Sequence, residues 1–279
     1  MMAERAQKPE TVLYELRDNI AVVTLNRPHR HNAWNGTMHM AYRRALLRAD
    51  ADDAARAIIV TGAERAFCVG GDAKALAGHV EKGGYDPGTS ADIAMPGYGR
   101  SANFDAPFAY QMGLSKPIIA ALNGPAAGVG LALAAFTDLR FAVPGVKFTT
   151  AHGKLNLPAE YGLSWILPRI IGLGRANDLL LTSRVMLSDE AHRLGFVNDL
   201  FPADQLLDRS IAFVADMLAR VSPNALRQTR WQTYDDLHQG AAAAVVRSEQ
   251  LIEEMMREQD YAEGVAAFTE RRQPSWRDE

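Results

Sequence analysis

Two segments in which glycine breaks an apolar run constrain this chain most: Arg65-Ala-Phe-Cys-Val-Gly-Gly-Asp72 and Asn123-Gly-Pro-Ala-Ala-Gly-Val-Gly130. Each follows a short aliphatic or β-branched run, Ala57 to Thr61 and Pro117 to Leu122, and each opens into a segment of helical character, Ala73 to His79 and Leu131 to Thr137. A strand that turns at glycine into a helix leaves backbone N–H groups unpaired at the helix start, where the helix dipole adds positive potential. If the two turns converge, they offer a pair of donors to one oxyanion. Neither turn fits Gly-x-Gly-x-x-Gly in the required place and no Gly-Lys-Ser/Thr follows, so the nucleotide-binding readings fit poorly.

The rest of the chain supplies the frame for these turns. Thr11 to Leu16 and Ile20 to Leu25 alternate around Asp18-Asn19, the pattern of a hairpin. A helix is predicted over Ala33 to Ala51, capped by Asn32, with Trp34, Met38, Ala41, Ala45 and Ala49 on its buried side and Arg43, Arg44 and Arg48 away from it. Further strands are expected at Leu139 to Val143 and Val146 to Thr149. Strands alternating with helices imply an α/β layer architecture. From Gly78 to Phe108 the composition shifts to Gly, Pro, Ser, Asp and Tyr, which reads as a long loop or a broken helix of the kind that serves as a lid. From Ala203 the pattern is helical throughout, broken at Ser222-Pro223, so residues 1–202 form the expected core and 203–279 a helical region. The apolar faces of the last helices (Val245, Leu251, Ile252, Met255, Met256) need something to pack against.

Several classes of function are disfavoured by composition. With 48% hydrophobic and 23% charged residues the chain is an ordinary globular one, long enough at 279 residues for a substantial core. A net charge of -3 gives no reason to expect nucleic acid or an anionic membrane as a partner. The twenty residues from Pro117 to Phe136 carry no charge, but two prolines, three glycines and an asparagine mark them as a buried strand–turn–helix rather than a membrane span. Met1 to Glu10 lacks the apolar run of a signal peptide, and the single cysteine, Cys68, suits a reducing compartment, so the cytoplasm is the expected location. No Cys-His-Asn signature surrounds Cys68, which reads as a small buried filler. His29 and His31 are the only close histidine pair and have no carboxylate or cysteine beside them, so no metal is expected.

The paired turns resemble those of the crotonase, or enoyl-CoA hydratase/isomerase, family, and other segments agree. Val23-Thr-Leu-Asn-Arg-Pro28 with Asn32-Ala33 is similar to that family's opening strand and first helix cap, and Leu167-Pro-Arg-Ile-Ile-Gly172, Glu190-Ala191 and Gly195-Phe-Val-Asn198 to its middle. Glu263-Gly264, Phe268, Glu270-Arg-Arg272 and Pro274 resemble its C-terminal signature, so the resemblance runs from about Val12 to Trp276. It implies a crotonase-like spiral of ββα units, a C-terminal helical region that builds a trimer, often doubled to a hexamer, and a coenzyme A thioester as substrate with no permanently bound cofactor.

The resemblance also implies site residues. The two N–H groups that hold the thioester oxygen fall on Gly71, after Gly70, and on Val129, between Gly128 and Gly130, where the family usually has glycine. A valine there keeps the main-chain donor and narrows the pocket. The two hydratase glutamates fall on Ala132 and His152, so neither carboxylate is present, and Asp138 matches a structural aspartate. Glu160, in Lys154-Leu-Asn-Leu-Pro-Ala-Glu160-Tyr-Gly162, stands where one class of Δ3,Δ2-enoyl-CoA isomerase has its sole acid/base and where related dehalogenases have a nucleophilic aspartate. A single carboxylate suits isomerisation, taking a proton from the α-carbon and returning it at the γ-carbon through an enolate. The alternatives for Glu160 are a solvated turn residue or a cap for the helix near Ser164. His152 reads as a proton-transfer partner, a pocket wall or a satisfied core residue, and Tyr161 and Trp165 as acyl-site walls or core. Asp72 reads as a helix-start residue.

The anionic end of coenzyme A calls for cations, for which Arg27, Arg30 and Lys74 stand in place, with Arg227 or Arg230 from the helical region; Ala66, Gly70 and Gly128 complete the expected coenzyme-binding set. An isomerase-like acyl-CoA enzyme is therefore the leading expectation. The alternatives are an enoyl-CoA hydratase, an acyl-CoA thioester hydrolase, and a non-catalytic binder of coenzyme A or of RNA, the last resting on the arginines of the first helix.

Overall fold

The computed structural model describes residues 10–90 and 100–276, so the polar N-terminal segment and the middle of the expected loop lie outside the described residues. The chain opens as a hairpin, β1 (Val12–Arg17) and β2 (Ile20–Leu25), paired antiparallel. Asp18 and Asn19 both sit at positive φ, the conformation that a tight hairpin turn asks of its two central residues. Helix α1 (Gly36–Ala51) follows, then β3 (Ala57–Gly62), α2 (Ala73–Lys82), β4 (Ile118–Leu122), β5 (Ala126–Ala127), α3 (Val129–Ala135), β6 (Leu139–Ala142) and β7 (Lys147–Thr149). Then come α4 (Leu163–Ile171), α5 (Leu173–Thr182), β8 (Met186–Leu187), α6 (Ser188–Arg193) and β9 (Asp199–Leu200). Four helices close the chain: α7 (Leu206–Arg220), α8 (Pro223–Asp235), α9 (Ala241–Met255) and α10 (Gln259–Glu270).

The main sheet runs β1-β2-β3-β4-β6-β9, parallel from β2 onward, and a small sheet runs β5-β7-β8. Each main strand leads through a short second strand or single bridge into a helix: β2 through Trp34 into α1, β3 through Cys68 into α2, β4 through β5 into α3. This is the expected spiral of ββα units. Both faces of the main sheet are covered, and the period-2 alternation of the strands sorts their side chains accordingly. Ala21, Val23, Ile58, Val60, Ile118 and Ala120 enter one core, with α1 and α3. Ile20, Val22, Ile59, Ile119 and Phe141 enter the other, against Leu206, Ile211, Val214 and Leu218 of α7.

Helix α1 ends at Ala51 as expected but differs in its start and in one of its faces. It begins three residues late, at Gly36, and Asn35 is its cap, accepting from the Met38 N–H at 2.9 Å. Asn32 is a buried tertiary staple instead: its Oδ1 accepts from the Arg27 N–H, and its Nδ2 donates to the carbonyls of Ala63 and Ala66. Arg43, expected on a solvated face, is buried under the Tyr110 ring at 4.1 Å, and Arg48 lies over Tyr14. The continuous basic face behind the RNA reading is therefore absent. The break expected at Ser222-Pro223 is where α8 starts, and Ser222 caps it, accepting from the Ala225 N–H.

Arg230 and Asp138 form a structural knot. Asp138 accepts from the Ile118 N–H, the Arg230 Nε and the Tyr234 hydroxyl, while Arg230 also donates to the carbonyls of Gln111, Met112 and Leu114. Arg230 is 7% exposed, so it is a clamp between α8 and the core rather than a cation available to a ligand. No helix among the described residues is long and apolar enough to cross a membrane.

Candidate active site

The two glycine turns meet because the chain pairs them. Cys68 and Ala126 form a parallel bridge: the Cys68 N–H donates to the Pro125 carbonyl, and the Ala127 N–H to the Cys68 carbonyl. The Gly128 N–H donates to Thr149, which ties the second turn to β7. The approach is close enough to demand glycine at 130, where a Cβ would lie 2.2 Å from the Cys68 carbonyl oxygen. Gly128 holds φ +48 and ψ -118, a conformation closed to L side chains, and so starts α3 directly at Val129. Cys68 itself is fully buried and its thiol is pushed up to about 12 by desolvation, which keeps it protonated and inert.

Gly70, Gly71, Gly128 and Val129 all line one cavity of about 580 Å³. Among the described residues, neither the Gly71 nor the Val129 N–H donates a hydrogen bond to the protein. Asp72 caps α2 just beyond Gly71, accepting from the Lys74 N–H at 2.9 Å and from Arg27 at 2.8 Å. Burial would raise the Asp72 carboxyl, but these bonds outweigh it and hold the group below the usual range. Arg27 also donates to the Ala33 carbonyl, so its guanidinium is already held inside the fold. Arg30 and Lys74 are exposed, and Ala66 is buried with its carbonyl accepting from Asn32.

Glu160 lines the same cavity, half-buried, and its Oε2 would lie 3.5 Å from a Cβ on Gly128. It caps no helix, since α4 starts after Gly162 without a side-chain cap bond. Among the described residues it accepts no hydrogen bond. Its carboxyl is raised above the ordinary range by burial, with the nearby His152 opposing. The backbone that delivers it is bent: Tyr161, the next residue, holds φ 48 and ψ 36, a left-handed conformation that costs a non-glycine residue about 1 kcal/mol or more. The Tyr161 ring packs edge-on against Phe108, and its hydroxyl meets that of Tyr85 at 2.9 Å. Tyr85, on the segment after α2, is 65% exposed and stands at the cavity rim.

The other carboxylate on the cavity wall among the described residues, Asp86, lies at the rim and is paired with Lys82. His152 is buried behind the wall rather than on it: its Nε2 meets the Leu180 carbonyl at 3.1 Å, and its Nδ1 has no partner. Trp165 stays away from the cavity, stacked between Phe136 and His238. Trp34 and His39 take the wall position instead. His39 was not legible as a site residue, although its place four residues beyond Asn35 puts both on one face of α1. Two N–H groups without protein partners and one unpaired carboxylate thus line the same cavity among the described residues.

The sequence profile described as enoyl-CoA hydratase/isomerase matches residues 15–279. The Mycobacterium tuberculosis protein named "Probable enoyl-CoA hydratase EchA12" is 35% identical over 270 residues, covering 94% of this chain and 91% of its own. The 1,2-epoxyphenylacetyl-CoA isomerase of Escherichia coli is 31% identical over 283 residues, covering 96% of this chain and 98% of its own. Among solved structures, an enoyl-CoA hydratase from Mycobacterium tuberculosis superposes with a TM-score of 0.82 at 28% identity, over 97% of this chain and all (100%) of that one.

Proposed function

The chain belongs to the enoyl-CoA hydratase/isomerase family, and from that premise we propose that it is an enoyl-CoA isomerase with Glu160 as its single acid/base. The thioester oxygen sits between the Gly71 and Val129 N–H groups, which the fold leaves without protein partners. The Glu160 carboxylate takes a proton from the α-carbon of a 3-enoyl-CoA, and the electron pair moves into the enolate held by the two donors. The carboxylic acid then returns the proton to the γ-carbon, giving the 2-enoyl thioester. One observation carries the reading: the only unpaired carboxylate on the cavity wall, among the described residues, faces Gly128 from 3.5 Å beyond its Cβ position.

Syn addition of water wants a second group that transfers protons at the reacting carbons. Ala132 and His152 stand where the resemblance puts that pair, and His152 lies behind the wall with one nitrogen engaged by Leu180. This favours isomerisation over hydration. Arg30 and Lys74, exposed beside the first turn, are the cations for the anionic end of coenzyme A, with Gly70 and Gly128 shaping the channel, while Ala66 is buried off it. A trimer or hexamer accounts for the apolar side chains that α9 and α10 leave exposed, Phe268 at 88% above all. The buried, unpaired thiol of Cys68 suits work in the reducing cytoplasm.

Product mass tests the reaction. Incubation with 3-hexenoyl-CoA should yield an isomer of unchanged mass that absorbs as a conjugated enoyl thioester. A product one water heavier, formed from 2-hexenoyl-CoA at a comparable rate, would assign hydration instead, and free coenzyme A would assign hydrolysis.

A further inference from the structure

The floor and rim of the cavity are chemically distinct. Trp34 (6% exposed), His39 (5%) and Val129 (4%) form the floor, while Val80, Tyr85 and Leu155, all more than half exposed, form the rim. Coenzyme A is far too large for the floor, so the acyl group lies there and the nucleotide end points outward. An acyl pocket built for a plain alkyl chain needs only apolar walls. His39 breaks that rule.

The His39 ring stacks on Phe108 with centroids 5.3 Å apart and planes 4° from parallel, and it packs against Trp34 at 5.4 Å. A phenylalanine would make the same contacts without a polar atom. Burial pushes the imidazole down to about 4, with the charge of Arg43 adding to the effect, so the ring is neutral near pH 7. Its Nε2 is sealed from water with no partner, and Nδ1 makes no hydrogen bond among the described residues either. Nδ1 is not sealed in the same way, and His39 lines the cavity, so Nδ1 is the ring nitrogen open to a ligand there. A buried N–H without an acceptor is rarer and costlier than a buried lone pair, so the proton belongs on Nδ1. The floor therefore holds a fixed, neutral hydrogen-bond donor that the protein does not satisfy.

We propose that His39 is a specificity-determining residue, donating a hydrogen bond from Nδ1 to an oxygen carried by the acyl group beyond the reacting carbons. The substrate class is thus acyl-CoA thioesters with an oxygenated acyl chain or ring, lying against the Trp34 and His39 rings, rather than plain alkenoyl thioesters. This rests on the acyl-CoA reading of the cavity but not on the identity of the reaction.

The test is a binding comparison that needs no turnover: titration calorimetry of the purified protein with hexanoyl-CoA and with 6-hydroxyhexanoyl-CoA. The expected result is tighter binding of the hydroxylated thioester by about tenfold, the value of one well-placed hydrogen bond to a desolvated donor. His39→Phe, which keeps the stacking and loses the donor, should bring the ratio of the two affinities to about one; His39→Gln, which keeps an amide N–H, should retain part of it. Melting temperatures of both variants confirm that the fold is intact. Equal affinities in the unaltered protein, or an undiminished ratio in a folded His39→Phe, overturn the proposal. Failure of both thioesters to bind would instead overturn the acyl-CoA reading of the cavity, so the two failures are told apart.

Discussion

Replacing Glu160 by glutamine keeps the shape of the side chain and removes its basicity. The structure fixes how large the effect should be. Asp86 is exposed and tied to Lys82, and His152 lies behind the cavity wall, so no second unpaired carboxylate stands on the wall among the described residues to take over the proton. The loss should therefore be a full general-base contribution, about 10²–10⁴-fold in kcat, or about 2.7–5.4 kcal/mol of barrier. The assay is the growth of conjugated enoyl-thioester absorbance from 3-hexenoyl-CoA, with acetyl-CoA affinity measured alongside and expected to be unchanged. Two pH signatures accompany it. In the unaltered protein the rate should rise with pH through an apparent pKa above the ordinary carboxylate range, because burial raises Glu160 and only its ionised form is a base. A carboxyl raised in the folded state penalises the fold once ionised, so stability falls as pH rises from its unfolded pKa through its folded one. The glutamine variant lacks that penalty and should melt at pH 7 no lower than the original. A variant that retains turnover within tenfold, or a His152→Ala variant that loses all activity while Glu160→Gln does not, would refute the assignment.

Three further outcomes are expected. Gly130→Ala places a Cβ 2.2 Å from the Cys68 carbonyl oxygen, so the two turns must separate; denaturant titration should show a loss of about 1–3 kcal/mol or more, and turnover should fall with it. Arg230→Ala strands the partly buried Asp138 and three carbonyls, for which a loss of about 3–5 kcal/mol in the same titration is expected; an unchanged midpoint would contradict the clamp. Sedimentation at micromolar concentration should show a trimer or hexamer, and Phe268→Glu should shift it toward monomer, whereas a stable monomer of the unaltered chain would leave the apolar face of α9 and α10 unexplained.

Local signals made the frame readable: the Asp18-Asn19 turn, the strand periods, the Ser222-Pro223 break and the glycine turns are short-range chemistry. The failures are all long-range. Asn32 reads as a cap because its carbonyl partners, Ala63 and Ala66, lie more than thirty residues away, and its bonds to them are visible only once β3 is in place. Arg43 reads as solvated because nothing near it in sequence announces the Tyr110 ring that covers it. Trp165 and Trp34 exchange roles for the same reason: which aromatic ring reaches the cavity depends on how α4 and the approach to α1 pack, not on their composition. Glu160 was singled out because family resemblance carries tertiary information that periodicity lacks, and it does line the cavity. His39 had no such guide, since a histidine on the buried side of a helix looks like any other core residue.

The burial of Cys68 has a practical reach beyond its packing. It is the chain's sole cysteine, is fully enclosed between the two turns and stays protonated at working pH. The folded protein is thus a natural cysteine-free background for thiol chemistry. One cysteine placed at Val80, 83% exposed on the cavity rim, would be the single site that a maleimide dye reaches. Ligand entry could then be followed by fluorescence without first removing a native residue.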